Sequence, residues 1–117
     1  PPLPDPRLIR RVIRARKLRA KHFDGELFAD PAWDILLDLA ASQVECIRVS
    51  VTSLCIASGV PSTTALRWIG QMVEMGLLER VEDEEDRRRA FITLTDKAVR
   101  SISRYFAEAC SDPKSLF

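Results

Sequence analysis

The 117-residue sequence predicts a mainly α-helical fold that carries one small β-hairpin. Three observations predict it. Two apolar patterns of helical period stand close together, separated by a short segment that contains Gly59 and Pro61. Two β-rich runs follow them, and an amphipathic helix follows the second run. This order is typical of a winged helix-turn-helix, in which one helix can lie in a DNA major groove.

The helix-turn-helix is predicted from residue 51 onward. The first helix covers about 51–58. Its expected apolar contacts are Leu54, Ile56 and Ala57. Gly59 stands where a helix end favours a left-handed residue, and Pro61 prevents the helix from continuing. Ser62 or Thr63 is then expected to cap the second helix. Four apolar residues at helical spacing predict its buried side: Ala65, Leu66, Ile69 and Val73.

A β-hairpin, the wing, is predicted after the second helix. Gly76 ends that helix, and the runs 77–82 and 89–94 are rich in strand-forming residues around a charged tip. The alternating segment 48–50 is expected to join them as a minor strand. Thr95 is expected to cap the last helix, whose apolar side includes Ile102, Tyr105 and Phe106.

Two further helices are predicted before this unit. One covers 7–23, and the other runs from 32 to about 44, with Asp30 as its cap and Pro31 at its first position. The predicted organisation has three parts: a basic N-terminal arm or helix at 1–29, a winged helix-turn-helix DNA-binding domain at 30–110, and a C-terminal tail at 111–117.

The distribution of charge is more informative than the net charge of +1. Residues 7–21 contain eight basic residues and no acidic one, so the remaining chain is acidic. This asymmetry indicates an anionic partner. Three interpretations of the basic helix stay open: a helix that packs on its own domain, a helix that contacts a second subunit, and an arm that lies along DNA phosphates. Its candidate contact residues are Arg7, Arg10, Arg11 and Arg14.

Two sequence runs carry a resemblance to a known family. The run D-R-R-R-A-F-I-T-L-T-D-K-A, residues 86–98, resembles the wing and following helix of MarR-family regulators. The run V-E-M-G-L-L-E-R, residues 73–80, is similar to the family's exit from the recognition helix into the wing. The resemblance covers about 33–109. It implies a bacterial, double-stranded DNA-binding transcriptional regulator that forms a homodimer.

The second helix of the pair is the predicted recognition helix. With its apolar side facing the core, several polar residues are expected to face outward. The candidate DNA contacts are Ser62, Thr63, Thr64, Arg67, Trp68 and Gln71. Arginine can form paired hydrogen bonds with guanine, and glutamine can do so with adenine. Hydroxyl groups at a helix start suit a phosphate oxygen.

The predicted wing tip is unusual in its charge. Five consecutive acids at 82–86 precede Arg87, Arg88 and Arg89. The resemblance implies that Asp86 orients one arginine and that Arg88 or Arg87 reaches the DNA minor groove. Narrow A·T-rich minor grooves attract arginine through their negative potential. The alternative is a solvated hairpin whose acids and arginines pair with each other.

The sequence offers little for catalysis, metal binding or a cofactor. It has one histidine, no nucleophile elbow and no glycine-rich phosphate loop, so we expect no enzyme, no metal and no cofactor. The three cysteines, Cys46, Cys55 and Cys110, lack a metal-ligand spacing and are expected to be reduced thiols. The resemblance leaves a redox switch open as a second interpretation.

The sequence also leaves a rival function open. An acidic wing favours a module that binds a partner protein instead of DNA. We expect a cytoplasmic protein without membrane contact, because no run of transmembrane length or signal-peptide pattern is present. A small-molecule effector is compatible with the resemblance, but no residue of the sequence supports one.

Overall fold

The fold was obtained as a computed structural model, which describes residues 2–111. Within that range lie five helices and three short strands. In chain order they are α1 (Pro6–His22), α2 (Pro31–Val44), β1 (Val49–Ser50), α3 (Val51–Ala57), α4 (Ser62–Glu74), β2 (Leu78–Glu82), β3 (Ala90–Leu94) and α5 (Asp96–Ser111). The predicted winged helix-turn-helix is confirmed. The predicted C-terminal tail lies outside the described residues, except for Ser111, which ends α5.

Aspartate caps fix the starts of the first two helices. Asp30 accepts a hydrogen bond from the backbone N–H of Trp33 at 3.3 Å, and Pro31 occupies the first helical position, as predicted. Asp5 caps α1 in the same manner, at 2.8 Å from the backbone nitrogen of Arg7. These caps satisfy N–H groups that have no partner inside the helix.

The turn between α3 and α4 follows the predicted chemistry only in part. Gly59 has a φ of +73°, the left-handed conformation that glycine adopts without steric cost. The prediction for the start of α4 was wrong. Pro61 occupies the cap position and no side-chain cap hydrogen bond forms, because Ser62 is already the first helical residue. A fixed proline φ prepares the helix start without a side-chain acceptor.

The three strands form an antiparallel sheet in the order β1-β3-β2. Val49 lies opposite Ile92, and Arg80 lies opposite the same residue from the other side. The minor strand is thus confirmed. Thr95 joins the sheet to α5: its hydroxyl donates to the Gly76 carbonyl at 2.6 Å and accepts from the Ala98 N–H at 3.2 Å.

The core forms around α2, which packs against the other four helices and the sheet. Ile35, Leu37 and Ala40 of α2 have no exposed surface. One side of α1 closes the core through Ile9, and α5 contributes Phe106 to the same core. The rings of Trp33 and Tyr105 meet edge to face, with centroids 4.9 Å apart. Trp33 is therefore a core anchor.

The buried side of α4 differs from the prediction. Ala65, Ile69 and Met72 face the core, and Met72 is only 2% exposed. Leu66 is 51% exposed and Val73 is 38% exposed, so both predictions of burial were wrong. Each lies about one residue, or 100° of helix rotation, away from the buried stripe. Leucine and valine were apolar enough to suggest burial, but α4 needs only a narrow stripe against its neighbours.

A similar error affects α3. Leu54 is fully buried and Ala57 is half-buried, as expected, but Ile56 is 79% exposed. A seven-residue helix has only two turns, and its core contacts are supplied by Leu54 and Cys55. The side chain of Ile56 lies on the opposite side of the helix.

The rotation of α4 predicts two different costs for substitution. Ile69→Ala removes a buried side chain and is expected to lower the free energy of unfolding by about 2–5 kcal/mol. Leu66→Ala removes a mostly exposed one and should change it by less than about 1 kcal/mol. Urea denaturation followed by circular dichroism measures both. Equal losses for the two variants would contradict this orientation.

Candidate nucleic-acid interface

The outer side of α4 presents a polar surface with one cation near its middle. Ser62, Thr63, Arg67 and Gln71 are exposed, as predicted, whereas Thr64 is half-buried. No ion pair within 4 Å joins Arg67 to another of residues 2–111. Its guanidinium therefore keeps its donors available for an external acceptor.

Trp68 shares this outer surface only in part. Its side chain is half-buried and packs against the hydrophobic core, so its role in DNA contact stays a prediction. A large aromatic side chain at the edge of the buried stripe is more stable when it covers the core than when it faces water. Leu66 takes the outward position instead, and sequence reasoning missed it because leucine was assigned to the core.

The wing tip holds its arginines in different environments. The Arg88 side chain donates from Nε to Asp86 Oδ1 at 3.2 Å, and the Arg88 backbone N–H donates to the same oxygen at 3.0 Å. This is the contact that the resemblance implied for Asp86, and it is equally an acid–arginine pair of the alternative, the solvated hairpin. Arg89 lies 3.9 Å from Asp83, a long and weak contact. Arg87 is exposed and forms no ion pair within the described residues.

A groove joins α4 to the wing. It is lined on one side by Leu66 and the start of α3, and on the other side by Arg80, Arg88 and Arg89. The structure therefore brings two of the three predicted wing arginines beside the recognition helix. Arg80 was missed as a functional candidate. The alternation of side chains along a strand could have identified it, because this alternation places Arg80 on the same side of the sheet as Leu78.

This part of the chain matches a known domain family. Residues 48–98, which contain α3, α4 and the wing, match the family model described as a winged helix DNA-binding domain. Solved structures share the same arrangement over a longer range. The chain has the winged-helix fold of MarR-family regulators.

Three of the similar structures illustrate the relationship. MepR from S. aureus, in a DNA-binding conformation, superposes with a TM-score of 0.60 at 19% identity, covering 86% of this chain and 71% of MepR. AbsC, a MarR family transcriptional regulator from Streptomyces coelicolor, gives 0.57 at 22% identity, over 86% of this chain and 64% of AbsC. A mutant MarR from E. coli complexed with operator DNA gives 0.56 at 17% identity, over 86% and 70%.

These comparisons show a winged-helix fold whose residues 48–98 match a winged helix DNA-binding domain. The chain spans about two thirds of the length of these three structures. No curated protein matches it significantly. None of the helices within residues 2–111 combines the length and apolar character that a membrane crossing requires.

The arginines of α1 do not form one uniform basic arm on this winged helix. Arg10 lies against α2, where it donates to Glu45 at 2.8 Å, to Asp38 at 3.1 Å and to the Ser42 hydroxyl at 3.3 Å. The hydrogen bond to Glu45 raises the pKa of Arg10 above its ordinary value, against the opposing effect of partial burial. Of the three interpretations left open for this helix, the contacts of Arg10 favour packing on its own domain.

The other three candidates of the arm are exposed. Arg7 donates from Nη2 to Asp5 at 2.8 Å, and this side-chain hydrogen bonding lowers the pKa of Asp5 and raises the pKa of Arg7. Arg11 and Arg14 form no ion pair within 4 Å among the described residues. Of the four predicted arm residues, these two keep fully available charge.

The cysteines are not arranged as a site. Cys46 and Cys110 are exposed, and Cys55 is buried in the core. Among residues 2–111 no group of three or more histidine, cysteine, aspartate or glutamate side chains could hold a metal ion. The three thiols are free within this part of the chain.

The contacts of Arg10 predict a structural effect of its removal. Arg10→Ala breaks two ion pairs between α1 and α2 and is expected to lower the free energy of unfolding by about 0.5–1 kcal/mol, with a larger loss at low salt. Arg11→Ala is the matched control, because Arg11 is exposed on the same helix. Urea denaturation at low and high salt measures both variants. Equal stability of the two would show that the Arg10 pairs contribute nothing measurable.

Proposed function

We propose that this chain is a sequence-specific double-stranded DNA-binding transcriptional regulator, with α4 in the major groove and wing arginines at the adjacent minor groove. One observation carries the proposal: the exposed side of α4, whose Arg67 has no ion pair within residues 2–111, lies beside a groove that the wing arginines also line. A single DNA duplex can contact both because the major and minor grooves adjoin across one backbone strand.

The side chains on α4 suit base recognition. Arg67 has five donors for the paired acceptors of guanine, and Gln71, one turn further along, can pair with adenine. Ser62 and Thr63, at the start of the helix, suit a phosphate oxygen. Thr64 is half-buried, so in this proposal it contacts DNA only at the edge of this surface. Trp68 is also half-buried and packs α4 against the core.

The wing arginines together form the proposed contact with the minor groove. Asp86 accepts a hydrogen bond at 3.2 Å from the exposed Arg88 side chain, which in this proposal enters the minor groove. Arg87 and Arg89 add positive charge on either side. Such positive charge is attracted by the negative potential of a narrow minor groove. Arg11 and Arg14 of α1 supply further phosphate contacts in this proposal.

The proposed active form is a homodimer that binds two DNA half-sites. Its support is an apolar surface at the end of α1 and in the following turn. Leu18, Phe23 and Leu27 are each more than half exposed there, and Phe28 packs edge to face on Phe23. Contiguous exposed apolar residues are typical of protein contact surfaces.

The dimer proposal predicts that charge on this surface separates the subunits. Leu27→Asp is expected to shift the sedimentation coefficient from that of a dimer to that of a monomer, because a carboxylate would be buried without a partner. Val81→Asp, on exposed β2, is the control and should leave the dimer intact. A wild-type protein that sediments as a monomer at micromolar concentration would rule the proposal out.

Fluorescence anisotropy on promoter and random duplexes across a salt series tests the DNA-binding function. The wild type is expected to prefer some duplexes and to show a steep salt dependence, because each phosphate contact releases counterions. Arg67→Ala should weaken binding to the preferred duplex by about 1–3 kcal/mol and relax specificity at one base pair. Arg104→Ala, an exposed arginine on α5, serves as the control. An unchanged affinity of the Arg67 variant would exclude the assignment of α4 to the major groove.

The rival function keeps one specific observation in its favour. Glu84 and Glu85 at the wing tip are exposed and form no ion pair within residues 2–111, so the tip presents acidic charge to solvent. A basic protein surface would suit it. Weak duplex binding without sequence preference in the same salt series would favour a winged helix that binds a partner protein.

A further inference from the structure

The groove that joins α4 to the wing is lined by charged, hydroxyl-bearing and apolar side chains. Its walls include the hydroxyl-bearing residues Ser50 and Thr52, the aliphatic Leu66, and Arg80, Arg88 and Arg89. Cations, a hydroxyl donor and apolar surface stand within one narrow concavity. These groups come from β1, α3, α4, β2 and the wing tip, so the groove exists only in the folded domain.

The strand register brings Arg80 into this groove. Leu78 and Arg80 alternate with Glu79, so they lie on the same side of β2, and buried Leu78 fixes that side as the one facing the helices. Arg80 is exposed, although Ile92, which lies opposite it on β3, is buried. Ala90 lies opposite Glu82 and also lines the groove, and its small side chain leaves the groove open.

The positive charge of the groove is only partly neutralised by the acidic wing. Arg88 has one carboxylate partner, Asp86, and Arg89 has a distant one, Asp83, at 3.9 Å. Arg80 has no ion pair within 4 Å among residues 2–111. Arg80 is therefore the cation of the groove with the most capacity for an external anion.

We propose that this groove is the seat of the DNA backbone, and that Arg80 is its principal phosphate contact. The alternation of charge and apolar surface in the groove suits a phosphodiester chain, whose anionic phosphates alternate with less polar sugars. Thr52, exposed at the start of α3, supplies a hydroxyl donor to a phosphate oxygen, and Leu66 packs near a sugar. The proposal rests on the DNA-binding function proposed above and names a contact beyond it.

A backbone contact at this position has a distinct role. It lies between α4 and the wing tip, so the strand it holds separates the major groove that α4 would occupy from the minor groove that Arg88 would reach. Phosphate contacts fix the register of a protein on DNA without reading the sequence. Arg80 would thereby set the depth of α4 while leaving base preference to Arg67 and Gln71.

Anisotropy titrations of Arg80→Ala on preferred and random duplexes test whether Arg80 binds a DNA phosphate in this groove. The variant is expected to lose about five- to tenfold in affinity near 0.1 M salt, equally on both duplexes, and to reduce the salt slope by about one. Arg80→Lys keeps the positive charge and should keep most of the slope. Thr52→Val should produce a smaller loss that is also independent of sequence. Arg104→Ala is the control for removal of an exposed arginine elsewhere.

Two outcomes would exclude the binding of the DNA backbone in this groove while leaving the regulator function intact. The first is a wild type that prefers certain duplexes, together with an Arg80→Ala variant of unchanged affinity and salt slope. The second is a loss confined to the preferred duplex, which would make Arg80 a base-reading residue. Absence of duplex binding by the wild type is a different failure, because it removes the DNA-binding function itself. Circular dichroism of Arg80→Ala and Arg80→Lys confirms that each variant is folded.

Discussion

The packing of α4 on the core is the constraint on which the proposed interface depends. Ala65, Ile69 and Met72 bury one narrow stripe, and this stripe sets which residues of the helix face outward. A helix turns by about 100° per residue, so a change of one residue in the stripe would exchange the reading surface for another. Met72, an adaptable side chain, closes the stripe near the end of α4, and this places Arg67 and Gln71 on the outer side.

The wing is held to α4 by short polar contacts and not by its tip. The Thr95 hydroxyl reaches the Gly76 carbonyl, and the Lys97 ammonium donates to the Met75 carbonyl at 3.1 Å, so α5 secures the end of α4 where the hairpin begins. Gly76 allows this exit because it adopts a φ of +77°. The orientation of the hairpin relative to α4 therefore comes from contacts at its base. The charged tip is not needed for this orientation and can contact a molecule outside the domain.

Charge in this chain has two physical roles that net charge conceals. Some arginines stabilise the fold: Arg10 connects α1 to Asp38 in the middle of α2 and to Glu45 at its end, and Arg16 pairs with partly buried Asp34. Others, including Arg67 and Arg80, have no carboxylate within 4 Å in residues 2–111. Arginines without a carboxylate partner in this part of the chain keep their donors for an anion. Arg67 and Arg80 therefore carry the proposed contacts near the groove, and the basic run of α1 adds phosphate contacts only through Arg11 and Arg14.

The sequence by itself determined the order of elements, because local chemistry specifies them. Asp30 and Pro31 start α2, Gly59 and Pro61 make the turn, and Thr95 caps α5 wherever the rest of the chain lies. Only the tertiary structure decided which side of α4 is buried, since Leu66 and Met72 are equally apolar in sequence and differ in burial through their neighbours. It also decided that Arg10 pairs with residues 28 and 35 positions away and that Arg80 shares a groove with α3. Contacts of such separation depend on how helices and strands pack, and a local pattern carries no record of them.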